Sequence, residues 1–152
     1  AEMLQFAELC HWKRRFATAV RFYQNAFEVS PMIESDPRRP IRYNAACAAA
    51  LAGTGAAVEP EDIVESERKH YRDAALGWLQ SELAMIEQGL ADGTAQERAA
   101  RGQRLASWRR DPDLAAVREQ VGLEQMPPDE RQAWSMFWAD VEKLAQPVPP
   151  AR

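Results

Sequence analysis

Small and aromatic side chains recur along this chain at the spacing of a helical hairpin, and that spacing limits the fold more than any other feature. Within residues 16–31 the positions are Phe16, Ala19, Tyr23, Ala26 and Pro31; within residues 42–53 they are Tyr43, Asn44, Ala45, Ala46 and a closing Gly53. Apolar groups three and four residues apart share one face of an α-helix, and alanines at the crossing points let two backbones approach closely. Stacked hairpins present surfaces and seldom carry chemistry, so the pattern bears on the class of function as well as on the fold.

The same periodicity extends through the chain. Residues 2–13 place Met3, Phe6, Ala7 and Cys10 on one face of a first helix, and residues 16–29 place Phe16, Ala19, Val20, Tyr23, Ala26 and Phe27 on a second, antiparallel to the first. Ser30-Pro31 ends it, because proline disfavours helical geometry in the residue before it. Pro37 and Pro40 mark residues 32–40 as a connector. A third helix, about 41–52, contains Ala45, Ala46, Ala48, Ala49, Ala50 and Ala52, and Gly53-Thr54-Gly55 stops it through glycine's access to the left-handed conformation.

Pro60, Glu61 and Asp62 are expected to open a fourth helix. Its stripe of Ile63, Tyr71, Ala75, Trp78, Leu79, Leu83, Ile86 and Leu90 reaches about Ala91, with Glu67 or Gly77 as the place for a break or kink. Thr94 and Glu97 form a capping box for a fifth helix ending near Trp108. Asp111 caps a sixth, with Leu114, Val117 and Val121 facing inward. Pro127-Pro128-Asp129-Glu130 opens a seventh, whose Trp134, Phe137, Trp138, Val141 and Leu144 form one broad stripe. No segment alternates as a strand does, so the expected fold is all-α: antiparallel helical hairpins stacked as a short superhelix with a C-terminal helical cap. The expected organisation is one domain over residues 1–146, with repeats at about 1–34 and 41–91 and a cap at about 94–146; the Pro-rich tail 147–152 is expected to be extended or disordered.

Charge and composition exclude several functions. The net charge of −4 among 152 residues argues against sequence-independent nucleic-acid binding, which needs surplus Lys and Arg. Lys13, Arg14, Arg15 and Arg21, and Arg38, Arg39 and Arg42, cluster near the first turns, whereas residues 59–67 are acidic; both read as solvated faces. No apolar run approaches the roughly 20 residues that span a bilayer. The opening Ala1-Glu2-Met3 has no basic region followed by an apolar core and suggests an excised piece of a longer chain. Two widely separated cysteines, Cys10 and Cys47, indicate a reducing compartment, taken as the cytoplasm.

Ala7, Phe16, Ala19, Tyr23, Ala26 and Pro31 fall into the frame of tetratricopeptide repeats, which this region resembles; Met3 and Cys10 stand where that frame prefers aromatics. Ala7 and Ala46 occupy equivalent places 39 residues apart, against a period of about 34, so the array is degenerate. More particularly, the chain resembles the helical C-terminal region that follows tetratricopeptide repeats in serine/threonine protein kinases of planctomycete bacteria. The resemblance rests on Phe16-Ala17-Thr18-Ala19 with residues 23–27, Arg42-Tyr43-Asn44-Ala45-Ala46-Cys47 and Ala75-Leu76-Gly77-Trp78-Leu79. It continues in Asp111-Pro112-Asp113-Leu114 and in Glu130-Arg131 with Trp134 and Trp138. Nearly the whole chain is covered. It has no Gly-rich phosphate loop, His-Arg-Asp or Asp-Phe-Gly, so no kinase chemistry resides in this segment.

No catalytic residue, metal ligand or cofactor is assigned. Adjacent Cys10 and His11 point to different faces of a helix and do not converge on a metal, and His70 stands apart from both. Cys47 among alanines reads as a packed small hydrophobe, although a thiol- or histidine-dependent enzyme remains a remote alternative. Four of the five tryptophans, Trp78, Trp108, Trp134 and Trp138, fall on apolar stripes and are expected in the core. The fifth, Trp12, is placed by the repeat frame on the concave side with Leu4, Glu8 and His11, opposite Tyr43, Asn44, Cys47 and Leu51. Two readings stand: a protein or peptide partner lies along this groove with Asn44 bonded to its backbone, or Trp12 and Tyr43 pack under the long fourth helix or under an inserted segment that includes residues 59–68, and leave no groove. Family domains that clamp a terminal carboxylate use Lys and Asn where this chain has Leu4 and Glu8, so an acidic tail is a poor ligand. A further alternative is self-association through the Trp134 and Trp138 stripe or the fourth helix.

Overall fold

The computed structural model describes residues 2–59 and 61–146, and among them every regular element is helical, as the periodicity requires. The expected roles of Pro60 and of the tail 147–152 lie outside the described residues. The helices are α1 (Glu2–Trp12), α2 (Phe16–Val29), α3 (Pro31–Glu34), α4 (Ile41–Gly53), α5 (Glu65–Asp92), α6 (Ala95–Trp108), α7 (Ala115–Arg118), α8 (Gln120–Leu123) and α9 (Pro128–Ala145). The chain forms two compact units, Ala1–Leu79 and Gln80–Arg152. Their boundary lies within α5.

In the first unit α1 packs on α2, and α2 packs in turn on α4. The core is made of Leu4 and Ala7, of Phe16, Ala19, Val20, Tyr23, Ala26 and Phe27, and of the alanines of α4. Those alanines expose essentially nothing, so α4 is the close-packed centre of the unit. Phe27 meets Trp78 edge-to-face at 5.8 Å, a favoured aromatic geometry. Phe6 departs from the expected apolar face of α1: it is 51% exposed, while Leu4 is buried instead. The inward face of α1 is centred on Leu4 and Ala7, rotated from the stripe that includes Phe6.

The ends of α1 and α4 are decided by backbone geometry. At the end of α1 the amide of Arg15 donates to the Cys10 carbonyl at 2.8 Å and that of Arg14 to His11 at 2.9 Å, closing a Schellman motif. Arg14 holds the left-handed position at φ 59°, where glycine is usual. At the end of α4 the left-handed residue is Gly55, at φ 83°. Gly53 serves a different purpose from the one its stop pattern suggests: a Cβ there would lie 2.9 Å from both the Arg68 carbonyl oxygen and the Arg72 amide. Only glycine lets α4 and α5 approach so closely. The Gly53 carbonyl then accepts from the buried Arg72 guanidinium at 2.9 Å.

Two expected boundaries change. Pro31 opens the one-turn α3 besides closing α2, because proline suits a first helical position. The fourth long helix starts at Glu65, leaving Glu61, Asp62 and Ile63 outside it, and continues unbroken past Glu67 and Gly77 to Asp92. Ahead of the helix the chain is held on the α1–α2 turn: the Val58 amide donates to the Arg14 carbonyl at 2.8 Å.

In the second unit the Thr94 and Glu97 capping box is present, with Thr94 N–H donating to the Glu97 carboxylate at 2.7 Å and Glu97 N–H to the Thr94 hydroxyl at 3.2 Å. Asp111 accepts from the Asp113 amide at 2.9 Å and opens a 3-10 turn, Pro112–Leu114. The expected sixth helix is divided into α7 and α8 because Glu119 is extended, at ψ 149°. Val121 is therefore turned outward and 77% exposed, contrary to its expected inward position. Gly122 permits the sharp return, since a Cβ there would collide with the Ala116 backbone. Leu105, Trp108, Leu114, Val117, Trp134, Phe137 and Val141 form the core. Trp138 is half-buried, and its indole N–H donates to the Val117 carbonyl at 2.9 Å.

Candidate protein-binding face

The two helices expected to line a groove share a buried meeting point at Tyr23. Burial pushes the Tyr23 phenol up to about 12, and the nearby Glu8 of α1 and Cys47 of α4 push in the same direction. Tyr23 thus lies near both Glu8 and Cys47. Leu4 and Cys47 themselves are buried, which makes them floor and core with no side-chain surface for a ligand.

The remaining positions differ in how they are held. His11 is half-buried and presents its ring edge-on to Phe16, with centroids 5.1 Å apart. Tyr43 and Asn44 are half-buried on α4, and Glu8 is exposed. Leu51 packs against Phe16, Ala17 and Ala52 together with Ala56, Ala57 and Ile63, so the inserted segment covers its end of α4. Trp12 is 87% exposed. The segment that covers Leu51 therefore leaves Trp12 open.

The inserted segment is anchored by a contact that sequence reasoning missed. Arg15, the residue before α2, makes no side-chain capping bond. The Glu59 carboxylate supplies the missing acceptor from 41 residues away: it takes the Thr18 amide at 3.2 Å and the Thr18 hydroxyl at 3.0 Å. A carboxylate at the first turn of a helix also complements the positive end of its dipole. The one available signal was a long helix preceded by Arg15, a poor cap, together with an acidic insertion. The Arg14 guanidinium adds a bond to the Ala56 carbonyl at 3.2 Å.

Cys47 is buried and Cys10 partly so, both as free thiols. Burial, and next the Glu59 charge, raise the Cys10 thiol above its ordinary value, against the smaller effect of Arg15 and Lys13. A thiol so placed is mostly protonated near neutrality and a weak nucleophile. Among the described residues no group of three or more His, Cys, Asp or Glu side chains is placed to hold a metal ion. The aromatic stripe proposed for self-association is turned inward, with Trp134 and Phe137 buried and Trp138 tied to Val117. Beside it the second unit has an open cleft of about 510 Å³, floored by Leu83, Ala84, Ala133 and Phe137 and edged by Glu87, Asp140 and Lys143.

No family model, no curated protein and no solved structure matches this chain. No helix among the described residues is long and apolar enough to cross a membrane.

Proposed function

We propose that this chain is a non-catalytic protein-interaction module of tetratricopeptide-like build, working in the cytoplasm as a scaffold within a larger protein. The supporting observation is Trp12, 87% exposed at the end of α1. A tryptophan held in water on a regular helix costs solvation and suits a contact residue, because aromatic anchors dominate protein interfaces. Glu8 and the half-buried Tyr43 and Asn44 would add polar contacts to an extended or helical peptide.

Recovery of binding proteins with the intact chain and with the double variant Trp12→Ala, Asn44→Ala tests this reading. Loss of a specific partner in the variant supports it, and identical recovery overturns it. Attachment to a bacterial serine/threonine kinase rests on the motif resemblance alone. The reading frame upstream of Ala1 tests that part: kinase motifs there support it, and a frame lacking them removes it.

A further inference from the structure

The exposed face of α1 is complementary to itself. Glu2, Phe6, Leu9 and Lys13 follow one another at spacings of four, three and four residues. At about 100° per residue these four lie on one stripe, with the geometry of a coiled-coil seam. Lys13 belongs to the stripe although α1 ends at Trp12, because its amide still donates to the Leu9 carbonyl at 3.1 Å. All four are exposed, Phe6 by 51% and Leu9 by 50%. Phe6 is held in place by Phe22 of α2, whose ring stacks on it at 5.6 Å.

The order of spacings reads the same in both directions, and the charges at the two ends are opposite. An antiparallel second copy therefore sets Phe6 against the partner's Leu9 and Leu9 against the partner's Phe6. In the same register Glu2 meets the partner's Lys13, and Lys13 meets the partner's Glu2. A parallel copy would set Glu2 on Glu2 and Lys13 on Lys13, which like-charge repulsion disfavours. We infer that this stripe is a two-fold, antiparallel self-association surface whose occupant is α1 of another copy of this chain. A two-fold axis requires each contact to occur twice, and the stripe meets that requirement residue by residue. An eleven-residue helix buries less than a standard interface, so the dimer is weak and dissociates on dilution. Trp12 lies about a quarter turn off the stripe and remains outside the seam.

Sedimentation equilibrium over a wide concentration range tests the inference. The mass of the chain should rise from 17.2 kDa towards twice that value as concentration increases. Phe6→Asp, and separately Leu9→Asp, should hold it at the monomer mass with an unchanged helical circular dichroism spectrum; both sites are exposed, so folding is retained. Glu2→Lys alone and Lys13→Glu alone should each weaken association severalfold, and the double swap should restore it. A monomer mass at every concentration overturns the inference. So does association that survives Phe6→Asp, or a double swap no stronger than either single change.

Discussion

Glu59 and Thr18 are joined twice, amide to carboxylate at 3.2 Å and hydroxyl to carboxylate at 3.0 Å, so a residue of the inserted segment caps the helix α2. Glu59→Ala should lower stability by about 1 kcal/mol, the usual effect of a lost cap. Thermal unfolding should show a fall of about 3 °C in Tm. Amide exchange should rise first at Thr18 and along residues 56–59. Unchanged exchange there would mean that the segment is held by other contacts.

Two glycines of the first unit should respond to alanine with opposite signs. At Gly53 the added methyl meets the α5 backbone, and a loss of about 2 kcal/mol is expected from forced displacement. Gly77 has nothing within 4 Å of such a methyl and lies inside a helix, so Gly77→Ala should gain about 0.5–1 kcal/mol. Urea titration of the two variants gives both signs, with m-values unchanged.

Glu82 is buried and accepts from the Arg104 guanidinium at 2.8 Å. Arg104→Met leaves a buried carboxylate without this partner and should cost about 3 kcal/mol. Replacing both, as Glu82→Met with Arg104→Met, should recover most of that loss, because a packed apolar pair avoids the desolvation of the charges. A double variant as unstable as the single one would show that Glu82 depends on its other neighbours.

Alkaline pH should unfold the protein through Tyr23. Its phenol is raised from 10.0 to about 12 in the folded state, so the neutral form is favoured there. The unfolded chain ionises first as pH rises. Stability present below pH 10 is therefore lost between pH 10 and about 12, by about 2–3 kcal/mol. Tyr23→Phe should flatten this limb in a pH series of urea titrations, and a limb of unchanged depth would assign it to other groups.

The helices were legible because their signals are local. The stripe of α2, the capping box at Thr94 and the N-cap at Asp111 each depend on residues a few positions apart, and each formed as expected. The start of α5 was not legible, because residues ahead of it are held by distant parts of the chain: the Val58 amide by the Arg14 carbonyl, and Ile63 by the cluster of Phe16, Ala17 and Ala52. Val121 was misplaced for a similar reason: the extended Glu119 resets the helical phase, and only the close approach at Gly122 marks the bend. On the candidate face, Glu8 of α1 and Cys47 of α4 both lie near Tyr23 of α2. Spacing alone did not tell floor from surface: Leu4 is buried, whereas Trp12, about two turns further along α1, is 87% exposed.

The alanines of α4 have a consequence for the entropy of folding. Alanine has no side-chain rotamers to lose, whereas ordering a leucine or methionine costs up to about 1–2 kcal/mol each. Ala45, Ala46, Ala48, Ala49, Ala50 and Ala52 thus fill the centre of the first unit with backbone-to-backbone proximity at almost no ordering cost beyond that of the main chain. These alanines have no side chain that could rotate to absorb a displacement, so a movement imposed on them must pass to their neighbours as motion of the backbone itself.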